Sequence, residues 1–210
     1  YPKTEGYYAF LSTEIGYQRG NRNEVLEFGK IARDALPQME QLMRARIYAL
    51  EGWAHDDSGD VESALESWTQ AMELDPSVFR RLGIALPAQF SLVSDLAGEV
   101  VNALRRSPRF RESGSGFTVQ VEEGRTCLLG TLGESFHCAT WPARIEGKGD
   151  DGEDLQTEQE YLTSITESFH EGAFGLSTGL SGSDWNSLDG TTTSSKKAAK
   201  KKLEGLLKRD

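Results

Sequence analysis

Residues 48–76, YALEGWAHDDSGDVESALESWTQAMELDP, constrain the chain more than any other stretch, because their spacing of small and bulky residues calls for two helices lying side by side. Gly59 and Asp60 divide the stretch. Gly accepts the left-handed backbone that ends one helix, and Asp offers an oxygen to the orphan amides that begin the next. Small Gly52 and Ala64 allow close approach, and Trp68 fills the space between the helices, as ridge-into-groove packing requires. Asp75 and Pro76 stop the second helix, since proline cannot continue one. An antiparallel helical hairpin is the expected product.

Tyr48, Gly52, Ala64, Trp68, Ala71 and Pro76 stand at the offsets that mark a tetratricopeptide repeat, and the stretch resembles one such repeat. Glu51 stands where Leu is usual in that pattern, and His55 where Tyr is usual. Upstream, Gly20, Ala32 and Pro37 precede Gly59, Ala71 and Pro76 by the same 39 residues, with Asn21 in the place of Asp60. Residues from about 7 to 37 therefore read as an earlier, degenerate hairpin in which Gly29 takes the position of Trp68. The period exceeds the roughly 34 residues usual for the family, which puts an insertion near PQMEQLMR. Each unit buries its apolar face only against neighbours, so other parts of the chain must cover the ends. The resemblance implies a groove between the first helices that holds a protein or peptide partner. Tyr48, Trp53 and His55 are the candidate contacts, and Asp56 and Asp57 would favour a basic partner.

After the repeats, SLVSDLAGEVVNALRRSP places Leu92, Leu96, Val100 and Leu104 on one stripe, the pattern of a core helix able to cap the second hairpin. From Phe117 the character changes. FTVQVEE, RTCLLGTLG and ESFHCATWP are short runs rich in Thr, Val, Phe and Cys, separated by Glu and Gly, and they predict an antiparallel meander. The Ser and Gly cluster at residues 111–116 reads as a boundary between a helical module, 1–110, and a small α+β domain, 111–193. DLQTEQEYLTSITESFHEGAF predicts a helix across the sheet, with Leu162, Ile165, Phe169 and Phe174 on its inner face and His170 near its end. The acidic loop at 145–158 lacks the ligand cadence of a calcium site. Behind the helix, the Ser, Thr and Gly segment that follows predicts ordered turns, with Trp185 and Leu188 as anchors there or, if exposed, as part of a partner site.

If the second and third strands turn about Leu132 and Gly133, Cys127 falls opposite Cys138, close enough for a cross-strand disulfide. Reduced cysteines packed as small hydrophobes are the alternative, and a zinc site with His137 and His170 is a third reading. His137 and Cys138 would point to opposite faces, and no CxxC or HExxH motif supports zinc. Cys127 or Cys138 with His170, or Ser181 with Asp184, can be written as partial triads. No nucleophile elbow, phosphate loop or dinucleotide fingerprint accompanies them, so no catalytic residue, cofactor or metal is assigned.

Charge restricts the partners. The chain carries −10, of which residues 194–210 contribute +5 from seven Lys or Arg and two acids, leaving −15 on the rest. Such a body disfavours nucleic acid, whose phosphates need positive surface. Leu203, Leu206 and Leu207 recur beneath a lysine face, so the tail reads as a short basic helix that rests on the acidic body or makes weak membrane contact. No apolar run is long enough to span a membrane. The opening YPKTEG, without an initiating Met, reads as an excised domain or a processed chain. The cysteine register and the resemblance together lean to an exported protein of the bacterial envelope, with a cytoplasmic protein as the alternative. The expectation is an α+β protein, repeat-like hairpins followed by a meander packed with helices, that serves interaction or assembly. The alternative is an enzyme or ligand-binding domain in residues 113–193 with the helices as a regulatory platform.

Overall fold

A computed structural model describes residues 2–35, 41–92, 98–141 and 158–175. Helices α1 (Pro2–Gln18) and α2 (Arg22–Ala35) form one hairpin, and α3 (Gln41–Ser58) and α4 (Val61–Leu74) a second. Their turns are built alike. Gly20 and Gly59 both take positive φ, 67° and 84°. The Asn21 amide donates to the Gly16 carbonyl at 2.8 Å, and the Asp60 amide to the His55 carbonyl at 2.9 Å, positions 39 residues apart in each case. The side-chain oxygens of Asn21 and Asp60 then accept from the amides of Glu24 and Ser63, at 3.3 and 3.2 Å. Pro37, the third member of the displaced set, lies outside the described residues.

Trp68 lies between α3 and α4, 1% exposed, and its indole N–H donates to the Ala49 carbonyl at 3.1 Å. Its ring needs the absence of a side chain at Gly52, where a Cβ would come within 2.3 Å of Trp68 Cδ1. In the first hairpin the sizes are exchanged. Buried Thr13 occupies the position of Gly52, and Gly29 that of Trp68.

Helix α5 (Ser77–Leu82) turns the chain into a five-stranded sheet of β1 (Leu86–Leu92), β2 (Phe110–Glu112), β3 (Phe117–Glu122), β4 (Arg125–Leu129) and β5 (Ser135–Thr140), in the order β2-β1-β3-β4-β5. Strands β3, β4 and β5 form the expected antiparallel meander, while β1 runs parallel to both β2 and β3. The fold is α+β with a mixed sheet.

The stripe expected on one core helix is divided. Leu92 ends β1 and pairs with Val121, whereas Val100, Val101 and Leu104 are buried on α6 (Gly98–Arg105); Leu96 lies outside the described residues. Strand pairing wins over the helical period here because β1 lies between β2 and β3 and pairs with both, with Leu86, Pro87 and Ala88 buried in succession. The stretch at 111–116 is the end of β2 and the short Ser and Gly connection, 113–116, from it into β3. Chain from both sides of it therefore shares one sheet and one core.

Helix α7 (Glu158–Phe174) lies across the sheet as expected, burying Ile165, Phe169 and Phe174, with Leu162 partly buried. Phe169 and Phe174 lie against the ring of Phe110, and Phe169 against His137 of β5. Among the described residues no helix is long and apolar enough to cross a membrane. The acidic loop, apart from Glu158, Trp185, Leu188 and the basic tail all lie outside those residues.

Cys127 and Cys138 are paired directly across β4 and β5 and joined by a disulfide, with Cα atoms 4.1 Å apart. Arg125 Nη2 donates to Cys138 Sγ at 3.3 Å. The bond closes a short loop, which limits the stabilisation to about 2–3 kcal/mol on the chain-entropy account. Reduction with excess dithiothreitol is expected to lower the unfolding free energy by that amount in urea titrations. An unchanged midpoint would mean that β5 is held by its pairing with β4 and by α7 without help from the bond.

Candidate functional site

The five residues expected to contact a partner do not share one surface. Tyr48 and His55 lie on the edge of α3 that faces a cleft between α2 and α4, and Glu51 lies between them. Lys30 and Arg33 line the α2 wall, Glu66 and Gln70 the α4 wall, and the cleft encloses about 560 Å³. Trp53 is on another edge, packed edge-on against Tyr17 with ring centroids 4.9 Å apart. Tyr17 in turn donates to the Leu82 carbonyl at 3.2 Å. Asp56 binds Arg111 through both carboxylate oxygens, at 2.9 and 3.0 Å, and Asp57 pairs with Arg22 at 3.2 Å.

Thus the Trp53 side of the expected hollow is packed by Tyr17 of the first hairpin, and downstream Leu82 and Arg111 bind beside it. The two carboxylates expected to attract a basic partner are engaged inside the chain. The physical reason is the angular step of a helix: residues 48, 51 and 55 share a face, while 53, 56 and 57 point elsewhere.

Glu51 is the chemical centre of the cleft. Its side chain is only 5% exposed and receives Arg33 Nε at 3.1 Å. The Arg33 guanidinium also lies over the Tyr48 ring, 5.3 Å from the centroid, in cation–π geometry. Burial pushes the Glu51 carboxyl up to about 7, against the opposing pull of Arg33. The carboxylate fits there only because position 29 has no side chain, since a Cβ on Gly29 would stand 2.8 Å from Glu51 Oε1. Gly29 and Glu51 are the two departures from the repeat pattern that meet in space. At the rim, His55 Nδ1 is 3.5 Å from Asp60 Oδ2. Hydrogen bonds from Ser63, with a smaller contribution from His55, hold Asp60 below the ordinary carboxylate range.

Glu51, Lys30 and Arg33 were not among the expected contacts. Glu51 at a position where the repeat calls for Leu was the visible signal, because a carboxylate placed on a packing face needs a cation nearby.

His137 and His170 lie away from the cleft, between α7 and the sheet. His170 is surrounded by the rings of Phe110, Phe169 and Phe174, at centroid distances of 6.0, 6.0 and 6.1 Å. Its Nε2 and that of His137 are buried without a hydrogen-bond partner. Burial lowers both, and drives His170 down to about 3 with help from Arg109 and Arg80. His170 is therefore a neutral packing residue near the helix end.

The cysteine triads are not assembled, because the two sulfurs are bonded to each other; Ser181 and Asp184 lie outside the described residues. Among the described residues no group of three or more His, Cys, Asp or Glu side chains is arranged to hold a metal ion. Compared with protein-family models, curated proteins and solved structures, the chain finds no match in any of the three.

Proposed function

We propose that the chain is a protein-interaction or assembly module that holds a partner segment in the cleft of Tyr48, Glu51 and His55. The observation that carries the reading is the cleft itself, an open groove on paired helices with an aromatic ring and a buried, arginine-paired carboxylate along its floor. Buried charge on a surface groove is costly to maintain, and such groups concentrate where binding uses them. The resemblance of residues 48–76 to a tetratricopeptide repeat agrees with this reading and supplies the idea of a peptide-binding helical module.

Tyr48 and His55 are the proposed contacts from the original set, joined by Lys30 and Arg33. Trp53, Asp56 and Asp57 instead fasten the helices to the rest of the chain. Lys30 and Arg33 on one wall and Glu66 on the other fit a segment bearing both signs of charge better than a purely basic one. A structural disulfide persists in oxidising compartments, which supports an exported setting such as a bacterial envelope.

Selection of a displayed peptide library against the whole chain tests the reading. Selected peptides are expected to lose about tenfold or more in affinity when His55→Ala or Lys30→Glu is introduced, the size expected for contacts at a small interface. Peptides that bind both variants as well as the parent would end the case for this cleft.

A further inference from the structure

Helix α1 carries an outward apolar stripe: Tyr8 is 69% exposed, Leu11 57% and Ile15 44%, with Tyr7 beside them at 50%. The 39-residue displacement that relates the two hairpin turns says what kind of surface this is. Tyr8, Leu11 and Ile15 correspond to Ile47, Leu50 and Ala54 on α3, and all three of those are fully buried. Ile47 packs with Ala9 and Ala32, with Phe28 and Ile31 of α2 alongside, so this is the stripe by which the second hairpin seats on the first. On α1 no described residue covers the same stripe.

The seat that α2 offers is not repeated at the other end. Phe28 and Ile31 correspond to Ser67 and Gln70 on α4, which are polar and line the cleft. Among the described residues, α4 therefore does not repeat at these positions the apolar seat that α2 gives α3, whereas a second α1 offers a stripe of the same length and character.

We propose that α1 is a self-association surface on which two copies pair antiparallel about a two-fold axis near Leu11. In that arrangement Tyr8 lies against Ile15 of the second copy, and Glu5 at one end of the stripe meets Arg19 of the second copy at the other. Both charged residues are exposed, and they flank the stripe with opposite signs. The apolar area on offer is roughly 400 Å² per copy, about 800 Å² in total and below the roughly 1,200 Å² of a standard interface, so the dimer is weak, transient and concentration-dependent. An isologous contact of this kind closes at two copies. At about 0.15 M salt the net charge of each copy is screened beyond roughly 8 Å and does not oppose contact at the nearly neutral stripe. The surface is separate from the cleft, and neither proposal depends on the other.

Sedimentation equilibrium of the whole chain from about 1 to 300 µM, at that salt, tests it. The mass is expected to rise from 23.2 kDa to twice that value and stop there. Leu11→Asp should hold the chain monomeric with an unchanged far-UV spectrum, since the position is solvent-facing in the monomer; Tyr8→Glu is the second variant should that one misfold. Arg19→Glu should weaken the dimer, and adding Glu5→Arg should restore it. A monomer throughout, growth past two copies, a dimer indifferent to Leu11→Asp, or a failure of the charge swap to restore pairing would each overturn the proposal. A monomer would leave the stripe to a helical hairpin of another polypeptide.

Discussion

Replacing Trp68 by Ala is expected to destabilise the protein by about 3–5 kcal/mol, a large part of the stability of a domain this size. The ring is essentially unexposed, spans the gap between α3 and α4, and adds a hydrogen bond from its indole N–H to the Ala49 carbonyl across that gap. Deleting it leaves a cavity that Gly52 cannot fill. The reciprocal change, Gly52→Ala, adds one methyl where none fits, and overpacking of that kind costs about 1–3 kcal/mol or more. If the two positions form one contact, the double variant should lose less than the sum, because the smaller indole-free site accepts the methyl. Urea midpoints of the four proteins check this. Strict additivity would show that Trp68 and Gly52 act separately.

The second large effect is on stability as a function of pH, where two buried groups act in opposite directions. Folding lowers His170 from about 6.5 to about 3, so below pH 6.5 the unfolded chain takes up a proton that the native state refuses. Stability then falls as the pH falls, at up to about 1.4 kcal/mol per unit, reaching at most about 5 kcal/mol near pH 3. The ring keeps partial exposure at its edge, which makes that figure an upper bound.

Glu51 does the reverse. Its folded value is raised from 4.5 to about 7, so the native state keeps a proton that the unfolded chain releases, and stability falls as the pH rises from 4.5 to 7 by about 3 kcal/mol. Between pH 4.5 and 6.5 the two slopes oppose each other. His170→Leu should therefore gain on the parent steadily as the pH drops through that window, and Glu51→Gln should gain as the pH climbs. Urea unfolding at half-unit intervals reads both. Parallel curves for a variant and the parent would show that its group titrates alike in the two states.

The parts of the fold written in short-range chemistry were legible from the residues. Gly59 with Asp60, and Gly20 with Asn21, announce their turns because each carries both the backbone freedom and the capping oxygen that the turn needs. The cysteine register followed from placing the turn about Leu132 and Gly133, which sets Cys127 opposite Cys138; the one-residue shift in pairing between Leu128 and Leu129 was not legible. Strand β1 was not legible. Pro87 sits within it, and a Pro in a run argues against a central strand. Moreover, parallel partners at residues 110–112 and 117–122 leave no hairpin signal next to it in the sequence. The cleft was half legible. Tyr48 and His55 were found through the repeat pattern, but Glu51 acquires its meaning only when Arg33 and Gly29 are brought over it from another helix.

The connectivity of β1 has a bearing on biosynthesis and on how the protein can be divided. Both neighbours of this strand are made after it, so Leu86–Leu92 emerges from the ribosome with nothing to pair with until some 20 to 30 further residues follow. The two hairpins, complete by Leu74 and dependent on nearby contacts, can form while that strand waits. A fragment ending at residue 110 would freeze the waiting state, presenting Leu86, Ala88 and Phe90 on an open edge that invites aggregation. One ending at Leu74 would carry both hairpins and none of that hazard.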